Sequence, residues 1–221
     1  MRTSEQKHSP FKFAGITDVY RKFFAWAMAR GGADYEQAIA PRKHALFGQL
    51  QGEVLEIGPG AGVNLAYTSP QAHWIGIEPN PHMHPYLRAE AEKYGVSIDL
   101  RTGSATDLEV EDNSRDAVIS TLVLCSVPDP TLALAEIYRV LKPGGKFLFI
   151  EHVAAPEGTR LRRLQQFVRP VWQMIGDGCC PDRDTGLTIR QAGFSQVNYE
   201  SFTGPVPIAI VQPHIAGVAI K

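Results

Sequence analysis

Between residues 51 and 150, short apolar runs of strand length alternate with stretches of helical spacing, and that alternation limits the folds open to the chain. "EVLEIG" reads as a strand, "NLAYTS" as the start of a helix, "HWIGIEP" as a strand, and "PHMHPYLRAEAEKYG" as a helix with Pro85 in its first turn. "SIDLRTG" and "DAVISTLVL" are strands, "PTLALAEIYRVLKPGG" is a helix ended by Pro143 and Gly144, and "KFLFIEHV" is a strand. Strands and helices in this order call for an α/β fold, a parallel sheet with helices on both faces. Ahead of it, residues 17–30 and 34–50 read as two helices, the first capped by Thr17 or Asp18 and closed by Gly31 and Gly32. Behind it, residues 159–178 are helical with a kink or split at Pro170. Residues 195–221 read as two strands around Gly204 and Pro205, an antiparallel hairpin on the sheet edge.

A chain of 221 residues supports one well-buried core and is short for two ordinary domains. Its net charge of −1 gives no general attraction to nucleic acid or anionic membrane, so no nucleic-acid partner is expected. Residues 1–11 are polar and suit a surface, and no stretch is long and apolar enough to span a bilayer, so a cytoplasmic protein with no integral membrane segment is expected. Cys125, Cys179 and Cys180 make a poor disulfide framework and lack the local spacing of a zinc site, so reduced thiols and no metal are expected.

The first strand runs into Gly58, Gly60 and Gly62, a turn whose bare backbone a ligand can approach closely. Val63 stands where a dinucleotide fold carries its third glycine, and no Lys-Ser/Thr pair follows to make a P-loop. Glu78, at the end of the second strand, suits two ribose hydroxyls, a role shared by dinucleotides and S-adenosylmethionine. Glu56 separates the two, because a carboxylate beside the loop repels a pyrophosphate and tolerates a cationic sulfonium and amino group.

"LEIGPGAG", "GIEPN", "GSATDLEVEDNSRDAVIS", "LCSVPDP" and "IYRVLKPGGKFLFIEHV" resemble the successive motifs of class I S-adenosylmethionine-dependent methyltransferases, in order, over about residues 50–153. "TLVLCSV", "FIEHVAAP", "DGC" and "VQPHIAGVAIK" resemble the mammalian methyltransferase-like alkyl thiol methyltransferases and their microbial and plant relatives. The hydrophobic N-terminal anchor of the mammalian members has no counterpart in the polar residues 1–11. The resemblance implies a Rossmann-like class I sheet, mostly parallel with an antiparallel C-terminal hairpin. It divides one methyltransferase domain, 1–221, into a helical cap (1–50), a cofactor-binding core (51–153), and a helical insertion with C-terminal strands (154–221).

The resemblance also implies S-adenosyl-L-methionine as cofactor. Gly58, Pro59, Gly60 and Gly62 would border its methionine and ribose, Glu78 would hold the ribose diol, and Pro79 or Asn80 would border the adenine. Many relatives carry an acid for the adenine amino group where this chain has Ser104, which leaves that contact weaker or to the backbone at Ala105.

Leu124, Cys125 and Ser126 fall at the carboxyl end of the fourth strand, in position to line a methyl-transfer corridor; Cys125 also suits a small buried apolar site. His152 is either a base for an acceptor proton or a histidine satisfied by backbone. Asp177 is either a second base or positioning group, or an ordinary turn residue. Cys179 and Cys180 form a turn and core pair or a redox or metal pair, and His214 is structural or aimed at the pocket. Tyr20, Phe23, Phe24 and Trp26 pack in the core or cap the acceptor, and the helix with "RLRRLQQFVRPVWQ" has a solvated or membrane-facing arginine side. The expected function is methyl transfer to a small-molecule hydrophobic acceptor, first a thiol. O- or C-methylation of a phenol or quinone, N-methylation of a phospholipid headgroup, and a noncatalytic cofactor-binding regulator stand as alternatives.

Overall fold

The computed structural model describes residues 18–69 and 71–221. Thr17 and residues 1–11 lie outside them. Strands β1 (Gly52–Ile57), β2 (Ala72–Ile77), β3 (Ile98–Arg101), β4 (Arg115–Thr121), β5 (Leu141–His152), β6 (Gln196–Thr203) and β7 (Pro213–Ile220) form one seven-stranded sheet in the order β3-β2-β1-β4-β5-β7-β6. All pairs among β1 to β5 are parallel, while β7 runs antiparallel to both β5 and β6. The expected Rossmann-like sheet with an antiparallel C-terminal hairpin is therefore present, β7 lying inside its partner β6.

Alternation along the strands divides the core. Leu55, Ile57, Val118, Phe147 and Phe149 face one side with Leu134 and Ile137 of α4 (Pro130–Val140) and Ile189 of α6 (Thr185–Gln191). Val54, Ile119, Leu148 and Ile150 face the other with Phe47 of α2 (Ala33–Phe47) and Leu87 of α3 (His84–Tyr94). Asp129 caps α4 by accepting from the Thr131 and Leu132 amides.

Three expectations need revision. "NLAYTS" forms only a 3₁₀ turn, Val63–Tyr67, because Asn64 is drawn inward to Glu56 and Thr68 is already extended two residues before Pro70. Helix α4 ends at Val140, and Leu141 pairs at once with Arg115 across a register shift, so the Pro143–Gly145 segment belongs to β5. Helix α5 (Arg160–Ile175) runs unsplit through Pro170, and the seven-residue α6 behind its Asp184 cap was not read from sequence. Among the described residues no helix is long and apolar enough to cross a membrane.

The hairpin closes tightly at Gly217, where a Cβ would lie 2.2 Å from the Asn198 carbonyl oxygen and 2.4 Å from Tyr199 Cβ. Gly217→Ala must separate β6 from β7, and we expect a loss of about 1–3 kcal/mol in denaturant unfolding; an unchanged midpoint would show that the edge strand is not coupled to the fold.

Candidate active site

The strand order reverses direction between β1 and β4, which opens a crevice beyond their carboxyl ends. Backbone forms its floor. Gly58, Gly60 and Gly62 have φ of 57°, 56° and 88°, a left-handed run that glycine adopts without strain. A Cβ on Gly58 would stand 2.7 Å from Val123 Cγ2, so that glycine lets the turn pack on the end of β4. A Cβ on Gly60 would meet nothing within 4 Å, which marks Gly60 as the point of open approach. Pro59 between them packs toward Gly76 of β2.

Glu78 is buried just beyond β2, with Oε2 accepting from the Gly60 amide at 3.0 Å and Oε1 from the Asn80 amide at 2.8 Å. Burial pushes its carboxyl upward, and those two amides pull it back. Each oxygen retains accepting capacity for a hydroxyl. Helix α1 (Asp18–Arg30) closes over this end: Arg21 donates to the Pro79 carbonyl, Asn80 Nδ2 donates to the Arg21 carbonyl at 3.1 Å, and His82 pairs with Asp18 at 2.8 Å. Tyr20 OH donates to the Ile175 carbonyl at 3.0 Å, tying the same helix to α5. Phe23 and Trp26 are exposed and stacked on one another, so they are not core, and Ala25 is the residue α1 buries. Ser104 is exposed and bonded to Thr106, with Ala105 half-buried beside it.

Glu56 sits fully buried on β1, accepting from Asn64 Nδ2 at 2.6 Å. Burial pushes its carboxyl up to about 7, against the pull of the Asn64 bond and the Lys43 charge. Among the described residues, Glu56 Oε2 and Asn64 Oδ1 have no hydrogen-bond partner. Lys43 of α2 is itself buried, its Nζ 2.5 Å from Glu36.

A second group lies at the ends of β4 and β5. Leu122 takes φ 58°, turning the chain so that the Val123 and Leu124 amides both donate to Glu151 Oε1 at 3.1 Å, beside the Ser120 hydroxyl at 2.6 Å. Arg183 holds the same turn from behind, donating to the Leu124 and Val127 carbonyls at 2.6 and 2.7 Å. Leu124 and Cys125 are buried there. His152, also buried, places Nε2 2.8 Å from Cys179 Sγ, and Trp172 Nε1 donates to that sulfur at 3.0 Å. One ligand atom from each of Cys125, His152 and Cys179 lies within 4.8 Å of the other two.

Backbone does not satisfy His152: one ring nitrogen faces sulfur, and Nδ1 has no partner among the described residues. Cys180 is turned elsewhere, its sulfur accepting from Gln173 at 2.9 Å and Arg183 at 3.3 Å, so the adjacent cysteines do not act as a pair. Antiparallel β7 sets His214 directly opposite His152. His214 Nδ1 donates to the Gln212 carbonyl at 2.9 Å, and burial lowers its pKa to about 4, leaving a neutral ring whose Nε2 has no partner among the described residues. Asp177, in a left-handed turn at φ 49°, is separate from the sulfurs; it feels the charge of Arg21 and in turn raises Glu78.

These features fit S-adenosylmethionine better than a pyrophosphate ligand. The open face of Gly60, the half-used carboxylate of Glu78 and the unpartnered Glu56 oxygen together suit a ribose diol and a cationic amino acid end. The match to known proteins agrees. Residues 55–149 match the methyltransferase domain family. The human thiol S-methyltransferase TMT1B is 35% identical, over 91% of this chain and 87% of its own length. The chain belongs to the family of these thiol S-methyltransferases.

As a methyltransferase it uses S-adenosylmethionine. A ubiquinone/menaquinone biosynthesis C-methyltransferase of Bartonella tribocorum is 31% identical over 70% of this chain and 68% of its own. The solved [4+2]-cyclase SpnF shares the fold, with a TM-score of 0.67 at 20% identity, covering 83% of this chain and 80% of that one.

Sequence reasoning gave no role to two residues beside these groups. Glu151 carried a signal, a lone acid in the apolar run "KFLFIEHV", whereas Tyr35 of α2 carried none. Tyr35 is buried with its ring 5.9 Å from His214, and its hydroxyl has no partner among the described residues. Glu151→Ala leaves one hydroxyl and two amides without their acceptor, and we expect a loss of about 3 kcal/mol. Glu151→Gln, which keeps an accepting oxygen, should lose only about 1 kcal/mol; equal losses in chemical denaturation would remove Glu151 as the anchor of this turn.

Proposed function

We propose that this methyltransferase S-methylates a small hydrophobic thiol. The observation that carries the reading is the likeness to human thiol S-methyltransferase TMT1B, which spans 91% of this chain, where the C-methyltransferase match spans 70%. Leu124, Val123 and Cys125, in the turn after β4, supply apolar side chains for such an acceptor. Exposed Phe23, Trp26, Phe167 and Val171 on α1 and α5 provide apolar surface on the elements joined by Tyr20. S-adenosylmethionine, when bound, supplies an electrophilic methyl group on a sulfonium sulfur.

The protein's own part is to bind, align and dehydrate. Gly58, Pro59, Gly60 and Gly62 offer backbone, Glu78 accepts from the ribose, Pro79 and Asn80 border the base, and Ser104 and Ala105 stand at its far side. Glu56 balances the cationic end. A thiol is already partly ionised near neutral pH, so a weak base suffices. His152 and Asp177 are the two groups able to receive its proton; His152 is the one beside the sulfurs, and Asp177 is held protonated more readily by burial. We infer a cytoplasmic setting from the three unpaired cysteines, which a reducing compartment preserves.

Matched alkyl thiol, phenol, quinol and phosphatidylethanolamine acceptors, followed by mass spectrometry, should show a one-methyl gain on the thiol alone. Gain on quinol or lipid instead would overturn the acceptor, and binding of cofactor with no product on any acceptor would favour a regulator. Glu78→Ala should weaken cofactor binding by about 10–100-fold in calorimetry, the worth of hydrogen bonds to a charged group.

The raised Glu56 carboxyl makes a separate prediction. Its elevated folded value means that the protonated form contributes stability, present below the usual carboxylate range and lost as pH rises toward about 7. A cationic ligand reverses this preference, so cofactor binding at pH 6.5 should release protons, read from calorimetry in buffers of different ionisation enthalpy. Glu56→Gln should abolish the release; identical release in the variant would remove Glu56 from the cationic end.

A further inference from the structure

We propose that Cys125, His152 and Cys179 form a binding site for one thiophilic divalent cation, zinc above all, whose fourth position receives the sulfur of the acceptor. The proposal rests on the thiol reading above. The three groups come from three different elements, the turn after β4, the end of β5 and the loop after α5, and converge with both sulfurs and one ring nitrogen mutually within 4.8 Å. All three residues are buried. Two thiolates and one imidazole are the donor set that holds catalytic zinc with one position open, whereas closed structural sites use four protein ligands.

The distances suit it. Zinc bonds of about 2.3 Å to sulfur and 2.0 Å to nitrogen put tetrahedral ligands roughly 3.5–3.8 Å apart. The cluster therefore keeps its overall span, and the 2.8 Å contact between His152 Nε2 and Cys179 Sγ opens by less than an ångström. The surroundings hold the ligands in place. Trp172 Nε1 donates to Cys179 Sγ, and the Glu151 and Arg183 bonds fix the turn that carries Cys125. Cys180 is engaged by Gln173 and Arg183, so among the described residues the protein supplies three ligands to this cluster.

Loading the cation deprotonates both cysteine thiols. An alkyl thiol then displaces a bound water: its S–H bond breaks, a cation–sulfur bond forms, and the proton leaves with that water as hydronium. No electron changes hands. The acceptor sulfur is then held as a thiolate near neutral pH, and with the cation bound His152 acts as ligand while the departing water takes over the proton-accepting part assigned to it above.

The test uses the full chain, reduced with a phosphine, stripped by a chelator column, and titrated with zinc against a chromophoric chelator and with cobalt for its spectrum. One equivalent should bind, with a thiolate-to-cobalt charge-transfer band of tetrahedral type that shifts when an alkyl thiol is added. Cys125→Ser and Cys179→Ser should each weaken binding by at least about 100-fold, the upper end of what even an outer partner contributes. Cys180→Ser should leave it unchanged, and an unaltered circular dichroism spectrum with a cooperative thermal transition shows that each variant is folded.

A readout that needs no variant is alkylation followed by mass spectrometry, in which zinc should protect Cys125 and Cys179 but leave the labelling of Cys180 unaltered. Absence of stoichiometric binding, equal binding in Cys179→Ser, or a cobalt band indifferent to alkyl thiols overturns the proposal. So does undiminished thiol methylation by the stripped protein, which leaves the thiol reading intact. A cobalt band that shifts with thiol, in a protein that methylates quinol or lipid and no thiol, upholds the site and overturns the acceptor reading.

Discussion

The site depends on one carboxylate kept away from water. Glu151 collects the Ser120 hydroxyl and the Val123 and Leu124 amides on a single oxygen, and no solvent competes for them. Left without this acceptor, the left-handed step at Leu122 would expose two orphan amides in an apolar wall, and the chain would have reason to leave β4 in another direction. Leu124 and Cys125 stand where they do because of that bond. So does the wall against which Gly58 packs, since Val123 is its neighbour. The glycine turn after β1 and the chain leaving β4 thus rest on one anchored step.

Among the described residues, ten buried side-chain polar atoms have no hydrogen-bond partner; Glu56 Oε2, Asn64 Oδ1, Glu151 Oε2, His152 Nδ1, His214 Nε2 and Tyr35 OH belong to the groups described above, whereas Trp74 Nε1, Arg162 Nε, Asp182 Oδ1 and Thr185 Oγ1 do not. A folded chain tolerates such groups at a cost of about a kilocalorie or more each, and a ligand that reached the first six would relieve that cost.

The sheet was legible because strand and helix periods differ, and the same periods put Glu78 at the end of β2, where it is buried against the Gly60 and Asn80 amides. What escaped had no local pattern. The helix expected from "NLAYTS" depends on where Asn64 points, which a linear pattern does not record, and Glu56 drew it inward. Helix α6 is shorter than the window that reveals a period. The sulfur and imidazole cluster was hidden for a different reason: its members are far apart in sequence, and zinc patterns are recognised from close spacing along a single segment. The aromatic run of α1 left core and cap both open because a regular apolar stripe does not say whether the face it makes is covered, and exposure of Phe23 and Trp26 removes the core for those two.

Strand β7 runs against its neighbours, so its first residues, not its last, stand at the functional edge. His214 arrives there from the far end of the chain while the glycine loop, Glu56 and Glu78 all come from the first two strands. The stretch that carries His214 is therefore encoded far from the glycine loop, and a substitution there leaves every residue of β1, β2 and the turn between Gly58 and Gly62 as it was.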